Sequence, residues 1–204
     1  SNSPRVVPGC PQPPNRRSKR YLTSYMENTY EKFSWVIDYG ADDNGYYLFV
    51  KSRSLENVLA KYGITPEVLT ERVISEVVPI DMNSTICYVA VMPASSTDWV
   101  AISEHGTRFP SYELLEPVSR GTIAIQCGFP WGMPRVRVAF DGLTIRDFDT
   151  AHYSSDGALP EEAELPFENA GPQAALMFIE RIAGIEMTPQ WMLGPFPTAV
   201  ARPE

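Results

Sequence analysis

The hydrophobic pattern is densest between Thr85 and Asp149. TICYVAVM at 85–92 is nearly continuous apolar sequence, the signature of a strand buried on both faces. In 99–104, Trp99, Ala101 and Ser103 alternate with Val100, Ile102 and Glu104, which predicts a second strand. Residues 121–127 predict a third. From Arg135 to Phe140, Val136, Val138 and Phe140 fall on one face and Arg135, Arg137 and Ala139 on the other. Asp141-Gly142 then gives a tight hairpin turn into a return strand, 143–148. Upstream, YYLFV at 46–50 predicts one more strand. Strands joined in this way make a mostly antiparallel sheet.

Helical signals appear in five places. Between Thr23 and Tyr39, Tyr25, Met26, Thr29, Tyr30, Phe33, Val36 and Ile37 recur every three or four residues, an aromatic amphipathic face. Ser54 is placed to cap SLENVLAKYG, which Gly63 stops. Thr65-Pro66-Glu67 has the composition of a helix start, with Val68, Leu69, Val73 and Ile74 as the apolar face. Gly171–Gly184 predicts another helix, and Ser111 introduces a short one, SYELLEPVS. The predicted fold is α+β: a mostly antiparallel sheet of about five or six strands, with helices packed on one face.

The ends differ from the middle. Residues 1–20 hold five prolines and five basic residues, and too little apolar surface to offset the entropy of ordering, so a disordered basic arm is expected. Residues 21–186 form the predicted domain. The Pro-rich stretch 187–204 is expected as an extended tail, and Thr150 to Glu168 as a long acidic loop.

Charge narrows the choice of partner. The 204-residue chain carries a formal charge of −8 with a pI near 4.9, which disfavours nucleic acid and suits a basic protein. No apolar run reaches the ~18 residues of a membrane span. Cys87 and Cys127 lie in apolar strands and read as buried thiols; three cysteines do not make a disulfide framework. Cys10, after VVPG, has the small-residue context of a lipid-attachment site without the preceding hydrophobic segment, so a cytoplasmic protein is expected over a lipid-anchored or secreted one.

The order of parts resembles a family of small, functionally uncharacterised actinobacterial proteins across about residues 30–185. The resemblance rests on Ser54, Glu56, Val58, Leu59 and Gly63; Trp99, Ile102 and Glu104; Glu113, Leu115, Ser119, Gly121 and Thr122; and Phe140, Asp141, Gly142, Phe148 and Asp149. It supports the α+β expectation and implies no activity.

Candidate chemistry is sparse. The histidines are His105 and His152, and no G-x-S-x-G elbow presents a serine. His152 lies near Asp147, Asp149 and Asp156 in sequence, at a spacing that matches no metal motif, and no cofactor or metal is expected. Glu104 and His105, at a strand end, are the candidate pair for a hydrolase. Ser119 and Arg120 form a candidate anion-binding turn. Phe129 and Trp131, in a Pro/Gly-bounded loop, are candidate partner contacts, as are Glu161, Glu162, Glu164 and Glu168 of the acidic loop. The leading expectation is a non-enzymatic protein-binding module, such as an immunity or inhibitor protein that engages a basic partner. The alternatives are a ligand-binding domain with a pocket lined by Tyr25, Tyr30 and Trp99, and a hydrolase using Glu104 and His105.

Overall fold

The structure, a computed structural model, describes residues 32–38, 45–52, 54–73, 86–94, 98–130 and 133–201. Chain contacts separate residues 1–32 from the unit Phe33–Glu204, which is the part described below. The expected basic arm, Cys10, Tyr25, Tyr30 and Trp131 lie outside the described residues.

The elements are α1 (Trp35–Asp38), β1 (Tyr46–Lys51), α2 (Leu55–Ala60), β2 (Thr70–Arg72), β3 (Cys87–Met92), β4 (Trp99–Gly106), α3 (Ser111–Val118), β5 (Ile123–Gly128), β6 (Arg135–Phe140), β7 (Leu143–Asp149), α4 (Gly171–Ala183) and β8 (Phe196–Val200). The strands form one antiparallel sheet in the order β2-β8-β3-β4-β1-β5-β6-β7. The α+β class and the antiparallel sheet agree with the sequence; the strand number and the placing of helices do not.

The sheet has eight strands rather than five or six. One extra strand, β2, is three exposed polar or charged residues with no apolar alternation to announce it. It stands where Thr65-Pro66-Glu67 suggested a helix; the capping residues yield only a 3-10 turn, Pro66–Val68. The other, β8, lies in the stretch expected to be a tail. Its Pro197 argued against a strand because proline has no N–H for a ladder. Pro197 falls outside the β8–β3 ladder, which pairs only Thr198, Ala199 and Val200. Trp191, just upstream, is among the most buried side chains.

Helices cover both faces of the sheet, not one. On the first face, α4, Trp35, Val36, Phe167 and Trp191 pack on Tyr47, Phe49, Ile125, Val136, Val138 and Phe148. On the second, α2, Tyr62, Ile64 and α3 pack on Leu48, Val50, Val89, Ile102 and Ala124. The central strands are buried on both sides, which is why YYLFV reads as a continuous apolar run. The faces are called the α4 face and the α3 face below.

Several local expectations hold. The Ser54 hydroxyl accepts from the Asn57 N–H at 3.1 Å and caps α2. At the β6–β7 hairpin, Asp141 and Gly142 take φ of 50° and 83°, the left-handed pair such a turn requires. Gly184 ends α4 with φ 64° and donates its N–H to the Glu180 carbonyl.

Candidate functional site

Strand β4 carries both residues of the proposed pair. Because side chains alternate along a strand, adjacent residues point to opposite faces. Ser103 and His105 share the side of Ala101 on the α4 face; Glu104 shares the side of Ile102 on the α3 face. The sheet itself separates the carboxylate from the imidazole, so the two do not form a catalytic dyad.

Glu104 is fully buried and stands at the start of α3. One carboxylate oxygen accepts the Ser111 N–H at 2.8 Å, and the other accepts the Ser111 hydroxyl at 2.6 Å. The first N–H groups of a helix have no intrahelical acceptor. Pro110 occupies the cap position and supplies no side-chain acceptor, so a carboxylate from the sheet serves one of them instead. The fully buried Tyr62 brings its hydroxyl to the same carboxylate, outside ordinary hydrogen-bond geometry.

The contacts continue outward. The Gln126 amide donates to the Ser111 hydroxyl at 2.7 Å, and Arg137 donates to the Gln126 carbonyl oxygen at 3.3 Å and to the Tyr112 backbone carbonyl at 3.0 Å. Arg137 lies 3.7 Å from Asp147, which in turn pairs bidentately with Arg135. Gln126, Arg137 and Asp147 are cross-strand partners in one row of β5, β6 and β7. A polar chain thus runs from a buried carboxylate to the sheet's outer edge.

Burial pushes the Glu104 carboxyl up to about 7, although the Ser111 and Tyr62 contacts pull it down. His105 is also buried, and burial lowers its pKa to about 4. Its Nε2 lies 2.7 Å from the Ser103 hydroxyl. A carboxyl near 7 suits general acid–base work. Glu104 has no solvent-accessible surface, however. Its contacts hold a helix to a sheet.

The acidic loop has an organiser that the sequence reading missed. Arg146, on the α4 face of β7, donates through Nε and Nη2 to both carboxylate oxygens of Glu162 at 2.7 Å. It also donates to the backbone carbonyls of Asp156 at 2.9 Å and Ser154 at 2.7 Å, and lies over the Phe148 ring. Glu162 itself accepts the Leu159 N–H. The loop is therefore wound on one buried cation. The signal was present: Arg146 precedes Phe148 by two residues and so shares its inward face, a position for a charge only if a partner waits there.

The other candidates divide. Glu162 is committed inward; Glu164 and Glu168 face solvent, and Glu161 is half-buried. Phe129 is fully buried and packs edge-on against Tyr47, so it is core rather than a partner contact. Ser119 is also fully buried: its hydroxyl donates to the Glu116 carbonyl and accepts the Gly142 N–H. Arg120 is exposed. Trp99 lies in the α4-face core. Asp149 caps the turn Thr150–His152, and the described residues form no group of three or more His, Cys, Asp or Glu able to hold a metal. No helix among them is long and apolar enough to cross a membrane.

A comparison with protein-family models, with curated proteins and with solved structures found no match.

Proposed function

We propose that this chain is a non-enzymatic module that binds a basic protein, in the manner of an immunity or inhibitor protein. The observation that carries the reading is the outer edge of the sheet. Among the described residues strand β7 has no neighbour on its far side, and around its hairpin Phe140, Leu143 and Ile145 are 56, 69 and 47% exposed. An apolar edge strand is a ready template for another chain. The acidic loop is anchored to this strand through Arg146, which holds the Asp156 carbonyl and the Glu162 carboxylate, and the loop's Asp156, Glu164 and Glu168 are exposed charges. Apolar contact flanked by negative charge suits a basic partner.

The test is affinity capture from the native organism's extract with wild type, Leu143→Asp, and the double variant Glu164→Lys/Glu168→Lys. One stoichiometric basic protein, retained by wild type and lost from both folded variants, is the expected result. Retention unchanged by the variants, or no protein retained at all, overturns the reading.

A further inference from the structure

The acidic loop carries more order than its composition requires. Residues 150–170 join β7 to α4 with only two 3-10 turns, Thr150–His152 and Pro160–Glu162. A polar connection of this length is usually either functional or disordered. Here two arginines hold four of its backbone carbonyls. Arg146, from β7, takes those of Ser154 and Asp156, and Arg181, from α4, takes those of Glu161 and Ala163 at 2.9 and 2.6 Å. A buried guanidinium needs acceptors for its own sake, which would account for Arg146. Arg181 is exposed, where water can serve its N–H groups, and it bonds to the loop nonetheless.

A bare tip stands between anchored residues. Tyr153 and Leu159 pack on the α4-face core, and the five residues between them, Ser154 to Ala158, are all exposed. The tip is nonetheless fixed in shape. The Ala158 N–H donates to the Ser155 carbonyl at 3.0 Å, and the Asp156 N–H to the Ser154 hydroxyl at 3.2 Å. Gly157 takes φ of 70°, and a Cβ there would meet nothing within 4 Å, so conformation and not crowding reserves the position for glycine. Asp156, beside it, is exposed, and no hydrogen bond or ion pair among the described residues engages its carboxylate.

A loop already held in shape loses less conformational freedom when it meets a partner. A convex turn complements a concavity, and a carboxylate at its apex complements positive charge inside one. We propose that the 154–158 tip inserts into a cationic cleft of the basic partner, with the Asp156 carboxylate as its anchor. This assignment rests on the protein-binding reading and names the part of the surface that enters the partner. It also gives the two arginines a common purpose, since both keep the limbs of the loop in place while the tip is free of the body.

The probe is the basic protein that wild type retains from the native organism's extract, titrated calorimetrically against the full chain at one fixed salt concentration. Asp156→Asn and Glu168→Gln remove the same charge, one at the tip and one outside it. Asp156→Asn is expected to weaken binding by about tenfold or more. Glu168→Gln is expected to weaken it by less than about threefold, as for an exposed charge at a rim. Gly157→Val keeps every charge but disfavours the left-handed turn, and is expected to weaken binding by about tenfold or more, with a melting curve confirming that the chain folds. Equal effects of the two neutralisations, or binding that Gly157→Val leaves intact, overturn the tip assignment while the protein-binding reading stands. Retention of no protein by wild type overturns both.

Discussion

The two faces of the sheet bury acidic groups by different means. On the α4 face, Glu162 meets a guanidinium in bidentate contact, beneath a loop that folds around the pair. On the α3 face, Glu104 meets only neutral donors, the N–H and hydroxyl of Ser111, with Tyr62 close by. A carboxylate paired with a cation becomes indispensable to that cation. One paired with neutral donors keeps a proton to nearly neutral pH. Burial alone does not decide the behaviour of an acid; the charge of its partner does.

The largest difference between the faces is expected from removing one charge. Glu162→Gln leaves Arg146 buried with two backbone carbonyls and no counter-ion, since its side chain is only 7% exposed. Breaking a buried pair by removing one partner costs about 3–5 kcal/mol. Urea denaturation at pH 7 checks this; a loss below about 1 kcal/mol would mean that the loop holds without the pair.

The second difference appears in pH dependence. Glu104 has its pKa raised to about 7 in the fold from 4.5, so its contribution to stability is full below pH 4.5 and is lost as pH rises through 7. His105, lowered to about 4 from 6.5, contributes fully above pH 6.5, and that contribution is lost as pH falls through 4. Each shift corresponds to about 3 kcal/mol, with opposite sign. Folding takes up a proton on the α3 face and releases one on the α4 face, so the two largely cancel between pH 4.5 and 6.5. Glu104→Gln is expected to uncover a gain in stability of about 3 kcal/mol as pH rises across this window, relative to wild type. His105→Asn is expected to uncover a loss of similar size. Denaturation curves at intervals from pH 4 to 8 read both slopes, and parallel profiles for all three proteins would refute the cancellation.

The same contrast explains what was legible in the sequence. Alternation located β4, β5 and the β6–β7 hairpin, because each of these strands owes its place to its own apolar residues or turn. Ser54 and the Asp141-Gly142 pair signalled local geometry that the structure keeps. What failed depends on distant partners. The strand β8 is recruited by β3 and β2 despite Pro197. A sheet buried on both faces was read as covered on one, because continuous apolar runs do not show how many layers enclose them. Glu104 drew attention as a carboxylate at a strand end, but its acceptor role depends on Ser111, seven residues later. Phe129 looked exposed in a Pro/Gly-bounded loop, yet it folds back onto Tyr47.

The smallest of the expected effects separates position from charge on the α3 face. Ser111→Ala removes the hydroxyl that donates to Glu104 and accepts from Gln126, while the Ser111 N–H contact belongs to the backbone and persists. The Gln126 amide is then left buried without that acceptor, and the expected cost is about 1–3 kcal/mol at pH 5, where Glu104 is protonated in the fold. At pH 8 the cost is expected to be larger, because the Ser111 hydroxyl lowers the Glu104 pKa and so stabilises the charged form. The decline of stability with rising pH should therefore extend to higher pH in the variant than in wild type. On the α4 face nothing should change, and the extension to higher pH should vanish in the Ser111→Ala/Glu104→Gln double variant. An extension that survives in the double variant would place its source in some other group and would remove Glu104 from the account of the α3 face.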